Sequence, residues 1–263
     1  MTQQTFTQSL ANPTRFMALS AALLPWITGA AGLVLAVGLV WAFGFTPPDY
    51  QHKETVKIMF VHVPAAWIGM GAYTLIAVSS VGLLVWRHPL ADVSAKAAAP
   101  IGAAFTLVCL VTGSLWGMPG WGTYWEWDAR LTSVLLLFFL YLGLIALRTS
   151  IEDESLASRL TAILGIVGVV LLPIIKFSVD WWWTLHQKAS VMTLGEQKVH
   201  WSIRAPLLVM ALGFLLAFIA MHLKAMQNEV LRRRIKAIRI ARVAAETRRG
   251  ASIDAASGRQ PAE

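Results

Sequence analysis

Residues 16–48 read FMALSAALLPWITGAAGLVLAVGLVWAFGFTPP, a continuous stretch without Asp, Glu, Lys or Arg. A helix needs roughly 20 apolar residues to cross a bilayer core of about 30 Å. This stretch exceeds that length and still leaves uncharged residues for its ends. It therefore predicts a helix that crosses a membrane, and it places the chain among integral membrane proteins.

Five further uncharged stretches follow, and the composition agrees with the first. Of the 263 residues, 57% are hydrophobic and 14% are charged, whereas a soluble domain carries roughly 25% charged residues. An ordinary soluble enzyme is thereby excluded. We predict an all-α integral membrane protein with six transmembrane helices, on the uncharged stretches 16–48, 58–86, 97–125, 131–147, 160–175 and 205–223. The fifth reaches the required length only if Lys176 extends its amine to the interface.

Lysine and arginine predict which side of the membrane each loop occupies. Of the 22 basic residues, 15 lie in the N-terminal segment, in loops 87–96 and 148–159, and in the segment from residue 224. The remaining seven lie in the alternating loops 44–57, 117–130 and 176–204. Because basic residues favour the cytoplasmic side, we expect both termini in the cytoplasm and the functional loops on the periplasmic face.

The C-terminal segment supplies much of the positive charge. Ten of the 22 basic residues follow residue 223, and residues 231–243 alternate basic and apolar side chains at roughly helical spacing. Beside a membrane span this pattern favours binding to membrane lipid, with no role for nucleic acid; docking to an ATPase subunit is the alternative. We divide the chain into a membrane domain, 1–226, and a basic cytoplasmic tail, 227–263, with an end that we expect to be disordered.

Two absences from the sequence narrow the function. Cys109 is the single cysteine, so the chain forms no internal disulfide and no cysteine metal cluster. The phosphate-binding pattern GxxxxGK[ST] does not occur. Any ATP-driven role therefore needs a separate ATPase subunit.

The loop at residues 116–133 is rich in aromatic residues, and reads WGMPGWGTYWEWDARLTS. One interpretation is a belt of indole rings at the headgroup level. A belt needs only one or two aromatic residues at each helix end, however, and here four Trp and one Tyr lie within twelve residues. Gly and Pro permit tight turns, so we expect the loop to form an apolar platform for a flat hydrophobic ligand or a partner.

Two of the six histidines are candidate ligands on the periplasmic side. His62 lies just inside the second span, and His186 follows three consecutive Trp residues in the third periplasmic loop. An ionisable group in a span is a functional candidate by default, although a hydrogen-bonded neutral imidazole is also a common structural element. Imidazole is a frequent axial ligand of haem iron, and porphyrin is a flat partner suited to indole rings.

Three segments carry a family resemblance. They read FVHVPAAW at 60–67, WGTYWEWDARLTS at 121–133 and TLHQ at 184–187. Together they resemble the haem exporter protein C (CcmC) family, which belongs to the tryptophan-rich WWD-domain proteins of cytochrome c maturation. The resemblance covers all of the chain except about its last thirty residues.

The resemblance implies a haem delivery subunit of the bacterial inner membrane and not an enzyme. Haem b, bound non-covalently as cargo, would be ligated from opposite faces by His62 and His186. The loop that holds the porphyrin and passes it to the periplasmic haem chaperone CcmE would comprise Trp121, Gly122, Trp125, Trp127 and Asp128. The implied membrane partners are the ABC transporter subunits CcmA and CcmB and the small protein CcmD.

Chemistry adds expectations for the haem propionates. Arg130 is the only basic residue of the aromatic loop, and a guanidinium pairs with a carboxylate in bidentate fashion. Lys188 is the second candidate, and anchoring at the headgroups is the alternative for both. We expect Asp128 to hydrogen-bond within the loop or to orient a neighbour rather than to touch haem.

Two other functions remain open at the level of the sequence. A membrane b-type cytochrome or oxidoreductase also uses paired histidines, but it stacks them across the membrane to carry electrons. A structural transporter subunit that binds no haem would leave both histidines with structural roles.

Overall fold

The computed structural model describes residues 12–187 and 199–256. Within these residues the chain forms no β-strand and seven α-helices: α1 (Pro13–Val40), α2 (Met59–Trp86), α3 (Pro89–Trp121), α4 (Ala129–Ser150), α5 (Glu154–Gly168), α6 (Leu171–Trp181) and α7 (Trp201–Ala256). A π-helical turn, Trp41–Phe45, extends α1, and a 3-10 turn, Glu54–Ile58, leads into α2.

Six helical segments of the described chain are long and apolar enough to cross a membrane. They are Pro13–Phe45, Glu54–Trp86, Pro89–Trp121, Ala129–Ser150, Glu154–Trp181 and Trp201–Arg249. The predicted all-α fold with six spans is confirmed. The orientation stays a prediction, and we call the end that holds the connections 46–53 and 122–128 and residues 182–187 the aromatic end.

The fifth span is longer than the uncharged stretch 160–175 and consists of two helices, α5 and α6. Pro173 explains the break between them, because it has no N–H for the carbonyl of Val169. Leu172 N donates to that carbonyl instead, at 3.0 Å. Lys176 lies exposed on α6, near the aromatic end. The exposed lysine is part of the span, so the uncharged stretch underestimated its length.

The aromatic segment also differs from expectation, because its first half is helical. Residues 116–121 continue α3, with Pro119 inside the helix, and the helix ends at Gly122, whose φ of +80° is left-handed. The prediction that the Gly and Pro residues of this part make turns was therefore wrong except at Gly122. Helical hydrogen bonding continues past the apolar stretch until a residue that tolerates positive φ ends it.

The core lies between α2, α3 and α4 and contains two buried tyrosines. Tyr73 and Tyr141 meet edge to face at 5.3 Å between ring centroids. The Tyr141 hydroxyl donates to the carbonyl of Gly69 at 2.7 Å, which satisfies its polar atom inside the bundle. This contact fixes α4 against α2 below the aromatic end.

Helix α1 lies at the edge of the bundle and packs mainly against α7. Its outward side chains are large and apolar, as expected for a surface that faces lipid: Trp26 is 80% exposed and Leu33 is 67% exposed. Helix α7 itself continues without interruption from the sixth span into the predicted tail. The boundary between 226 and 227 stays a prediction, and residues 257–263 lie outside the described residues.

Candidate functional site

Two adjoining cavities lie at the aromatic end, between α2, α3, α4 and α6. Their volumes are about 320 and 80 Å³, and the larger one falls at the lower end of the roughly 300–1,000 Å³ of small-molecule pockets. His62, Arg130 and His186 line both of them. The fold thus brings together two imidazoles and one guanidinium that lie up to 124 residues apart in the sequence.

His62 is held from one side by α3. Its Nδ1 lies 3.1 Å from the carbonyl oxygen of Cys109 and 3.2 Å from Thr112 Oγ1. A backbone carbonyl only accepts, so Nδ1 carries the proton and donates to it. The neutral ring then keeps the lone pair on Nε2, which has no hydrogen-bond partner among the described residues. Gly113 allows this approach, since a Cβ there would lie 3.0 Å from the His62 ring.

His186 lies beyond the end of α6 and is positioned by its neighbours. Its backbone N–H donates to Thr184 Oγ1 at 3.0 Å. Its Nδ1 is buried and lies 3.6 Å from Asp128 Oδ2, longer than a hydrogen bond. A small movement of the ring would complete a carboxylate–imidazole pair.

Asp128 joins two parts of the site. Oδ1 accepts from Leu131 N at 2.8 Å and so caps α4, and Oδ2 accepts from Leu185 N at 3.2 Å. Burial raises the pKa of this carboxyl, but the neighbouring His186 and the two backbone N–H groups outweigh burial and hold its pKa below the usual value. Asp128 is therefore an anion at neutral pH, and it bonds within the loop beside a candidate ligand.

Arg130 is fixed by α6. Its Nε donates to Ser178 Oγ at 2.8 Å, and Nη2 lies 3.5 Å from the carbonyl oxygen of Lys176. Nη1 has no hydrogen-bond partner among the described residues. The guanidinium is thus held at the wall of both cavities with part of its donor capacity free.

Four indoles line the cavities, and Trp67 is one of those in the larger cavity. Trp116 meets the His62 ring edge to face at 6.0 Å, and Trp121 meets the His186 ring in the same way at 4.8 Å. Trp125 lines the smaller cavity. The Nε1 atoms of Trp116 and Trp125 are buried and lack a partner among the described residues. Each candidate histidine therefore has a tryptophan at its side.

Two further predicted residues, Gly122 and Trp127, lie outside both cavities. Trp127 is 73% exposed and packs edge to face on Trp125 at 5.5 Å. Gly122 ends α3, where its left-handed backbone turns the chain away from the helix. Lys188, the second candidate for the propionates, lies outside the described residues.

The structure adds residues that the sequence did not single out as site residues. His52 meets Trp116 at 5.3 Å and lies 3.4 Å from Gln187 between side-chain nitrogens, and all three line the larger cavity. Their signal in the sequence was weak, because His52 and Gln187 come from different loops that only the folded chain brings together.

The donor set fits a porphyrin better than a bare metal ion. Among the described residues no group of three or more His, Cys, Asp or Glu side chains could hold a metal. Two imidazoles suffice for haem, since the porphyrin itself supplies four nitrogens. The orphaned indole N–H groups and the Arg130 guanidinium add donors at a site with apolar walls.

The comparisons with known proteins all give the same family. The family model described as CcmC: Heme exporter protein C matches residues 6–241. A Heme exporter protein C of Bradyrhizobium diazoefficiens is 59% identical over 231 residues, which cover 88% of each chain. The Escherichia coli K12 protein of that name is 47% identical over 84% of this chain and 89% of its own. That of Paracoccus denitrificans is 43% identical over 87% and 95%.

Proposed function

This chain belongs to the Heme exporter protein C family, and we propose that it holds haem at the aromatic end between His62 and His186 and delivers it to the periplasmic haem chaperone CcmE. Membership of the family implies a role in haem export and cytochrome c maturation, as a transport subunit rather than a catalyst. Six apolar helices and relatives from Gram-negative bacteria support a multi-pass protein of the inner membrane.

One observation carries the proposal. The Nδ1 proton of His62 is engaged by the carbonyl of Cys109, in a cavity that His186 also lines. Ligating histidines usually donate their other N–H to an acceptor of this kind, which orients the ring and raises the basicity of the free nitrogen.

His186 is the second proposed axial ligand. Asp128 lies where it can accept the Nδ1 proton, so that Nε2 is the coordinating atom. Because His186 is in a connection and His62 is in a helix, we infer that His186 is the ligand that moves when haem enters or leaves. A site that must release its cargo needs such an asymmetry.

Arg130 and the indoles complete the proposed site. The free part of the Arg130 guanidinium is suited to a propionate, in a charge-assisted hydrogen bond. Trp121 and Trp125 provide apolar walls for the porphyrin. The bound cargo in this proposal is haem b, held without a covalent bond to the protein.

Transfer to a partner needs a surface as well as a pocket. Trp127 and Tyr124 are 73% and 58% exposed beside the cavity wall. Aromatic residues are enriched where proteins meet, and we infer that these two contact CcmE. The ABC transporter subunits CcmA and CcmB and the helper CcmD complete the proposed complex, in which ATP hydrolysis occurs on other chains.

Haem titration of the purified protein in detergent tests the ligand assignment. We expect one haem per protein with a low-spin absorption spectrum, and loss of that spectrum in His62→Ala and in His186→Ala. His200→Ala is the matched control, because His200 is exposed at the same end, lines neither cavity and has a side chain that bonds only to Ser202 among the described residues. Unchanged spectra in both site variants would refute the assignment.

Transfer is tested separately with the soluble domain of CcmE. We expect Trp127→Ala to keep the haem spectrum and to slow haem transfer. Trp26→Ala removes a similarly exposed indole from the middle of α1 and should leave transfer unchanged. A structural subunit without haem would bind none in any variant. A b-type cytochrome would bind haem and pass none to the chaperone.

A further inference from the structure

A further cavity, with charged walls, lies at the opposite end of the bundle. Its volume is about 380 Å³, and its walls come from α2, α3, α5 and α7. The polar and charged residues that line it are Arg87, Asp92, Ser155, Ser158, Arg159 and Arg233. This end carries the more basic segments of the chain, so the positive-inside rule predicts that it faces the cytoplasm.

The acidic group of this cavity is already neutralised. Asp92 accepts two hydrogen bonds from Arg148, at 2.7 and 2.8 Å, and a third from Arg233. Arg233 also donates to Glu229 at 2.8 Å. These residues form a closed network that ties α7 to α3 and α4, and they leave no free negative charge in the cavity wall.

Arg87 and Arg159, in contrast, have no ion-pair or hydrogen-bond partner for their guanidinium groups among the described residues. They approach the cavity from two different helices, at the end of α2 and in the second turn of α5. Ser155, which is exposed, adds a hydroxyl to the same cavity lining. The cavity therefore has an excess of positive charge and free donors that are arranged around an open volume.

The backbone of Arg87 gives an independent indication that its side chain is used. Arg87 caps the C-terminus of α2 with φ 50° and ψ 35°, in the left-handed region. Glycine is the residue that this position favours, because a side chain there meets steric resistance. A residue kept in an unfavourable backbone conformation often has a functional reason.

The surroundings of the cavity indicate the depth at which a ligand would lie. Trp86, next to Arg87, is 72% exposed, and indoles at span ends lie at the headgroup level. Leu84 lines the cavity and Leu160 follows Arg159, and both are 38% exposed. A ligand in this place would meet positive charge at its head and apolar side chains below.

We propose that this cavity binds the phosphate of an anionic phospholipid, whose headgroup lies between Arg87 and Arg159 and whose acyl chains follow Leu84 and Leu160. Basic pockets between helices at the cytoplasmic side are suited to such headgroups. One lipid in this place links the turn between α2 and α3 to the start of α5. The site is independent of haem binding and lies at the other end of the bundle.

Native mass spectrometry of the full chain in detergent tests the proposal, with phosphatidylglycerol as the ligand and phosphatidylcholine as the uncharged comparison. We expect Arg87→Gly/Arg159→Gln to bind phosphatidylglycerol about 25-fold more weakly, from about a fivefold effect of each charge. Arg15→Gln/Lys224→Gln is the control, because it removes two exposed cations at the same end whose side chains have no partner among the described residues, and both lie outside the cavity and outside the predicted lipid-binding stretch 231–243.

Arg87→Gly alone keeps the test valid if the double variant folds poorly. Glycine suits the left-handed backbone, so this variant should melt at the same temperature as the wild type or higher, and still lose about fivefold in affinity. Equal weakening by the control pair, or equal binding of both lipids, would overturn the proposal. Displacement of phosphatidylglycerol by excess inorganic phosphate would identify a site for free phosphate and would also overturn it.

Discussion

Asp128 offers the most informative single substitution, because its two carboxylate oxygens accept hydrogen bonds from two different segments of the chain. Oδ1 caps α4 through Leu131 N, and Oδ2 holds the connection that carries His186 through Leu185 N. Asp128→Asn can keep the first contact and must lose the second, since an amide has only one oxygen. Asp128→Ala loses both.

The expected magnitudes follow from the contacts. Loss of an N-cap costs about 1 kcal/mol, and leaving a buried N–H without its acceptor costs about 1–3 kcal/mol. The Asp128 side chain is 1% exposed, so little water can replace the lost oxygen. We expect Asp128→Asn to lower the free energy of unfolding by about 2 kcal/mol, and Asp128→Ala by about 3 kcal/mol.

Unfolding in mixed micelles with increasing SDS, followed by tryptophan fluorescence, measures both variants against the wild type. Asp153→Ala is the control, because Asp153 also caps a helix, α5, but is exposed and distant from His186. In haem titrations we expect both Asp128 variants to bind more weakly, since His186 loses its orienting group, and Asp153→Ala to bind normally.

Two results would refute this reasoning. If Asp128→Asn were as stable as the wild type, the bond to Leu185 would contribute nothing to the fold. If both Asp128 variants bound haem with wild-type affinity, the orientation of His186 would not depend on the carboxylate.

Three further predictions concern the bundle. Asp92→Asn breaks a buried ion pair and should cost about 3 kcal/mol, whereas Asp153→Asn, an exposed cap that Asn also serves, should be neutral in the same SDS titration. Gly102→Ala would place its methyl group on the buried Tyr141 ring and should cost about 1–3 kcal/mol by overpacking, measured as the unfolding midpoint. Arg87→Gly should stabilise the protein by about 1 kcal/mol in that assay, since it relieves a left-handed backbone. Destabilisation would show that contacts of the Arg87 side chain stabilise the fold by more than its left-handed backbone destabilises it.

The spans could be predicted from the sequence because one strong physical effect, the exclusion of groups that require water from the membrane, decides them. A stretch such as 16–48 has no group that requires water, so only a membrane-crossing helix satisfies it. The ends of the helices depend on weaker, local interactions. The fifth span includes Lys176, as the prediction required, but it extends at both ends beyond the uncharged stretch 160–175. Glycine was too strong a signal in residues 116–121, where α3 continues.

The candidate histidines were predicted from residue type, position and resemblance, but their surroundings were not. The acceptor of the His62 proton is a backbone carbonyl, that of Cys109, and any residue could supply it. The contact between Asp128 and Leu185 joins residues 57 positions apart. Neither contact leaves a pattern in the sequence, because each depends on how the helices pack.

The basic pocket at the other end could not be predicted from the sequence either. Positive charge near 87 and 159 predicted only a cytoplasmic side. Whether such a charge is paired depends on tertiary contacts: Arg148 and Arg233 both pair with Asp92, whereas Arg87 and Arg159 lack a partner in the described chain.

Electron paramagnetic resonance of the ferric haem complex tests the proposed bis-histidine site most directly, because the spin state reports the number of strong axial ligands. The wild type should give a low-spin signal from two imidazoles. His62→Ala and His186→Ala should each give a high-spin signal, and added imidazole should restore the low-spin form. A low-spin signal that persists unchanged in either variant without added imidazole would contradict the assignment of that histidine as a ligand.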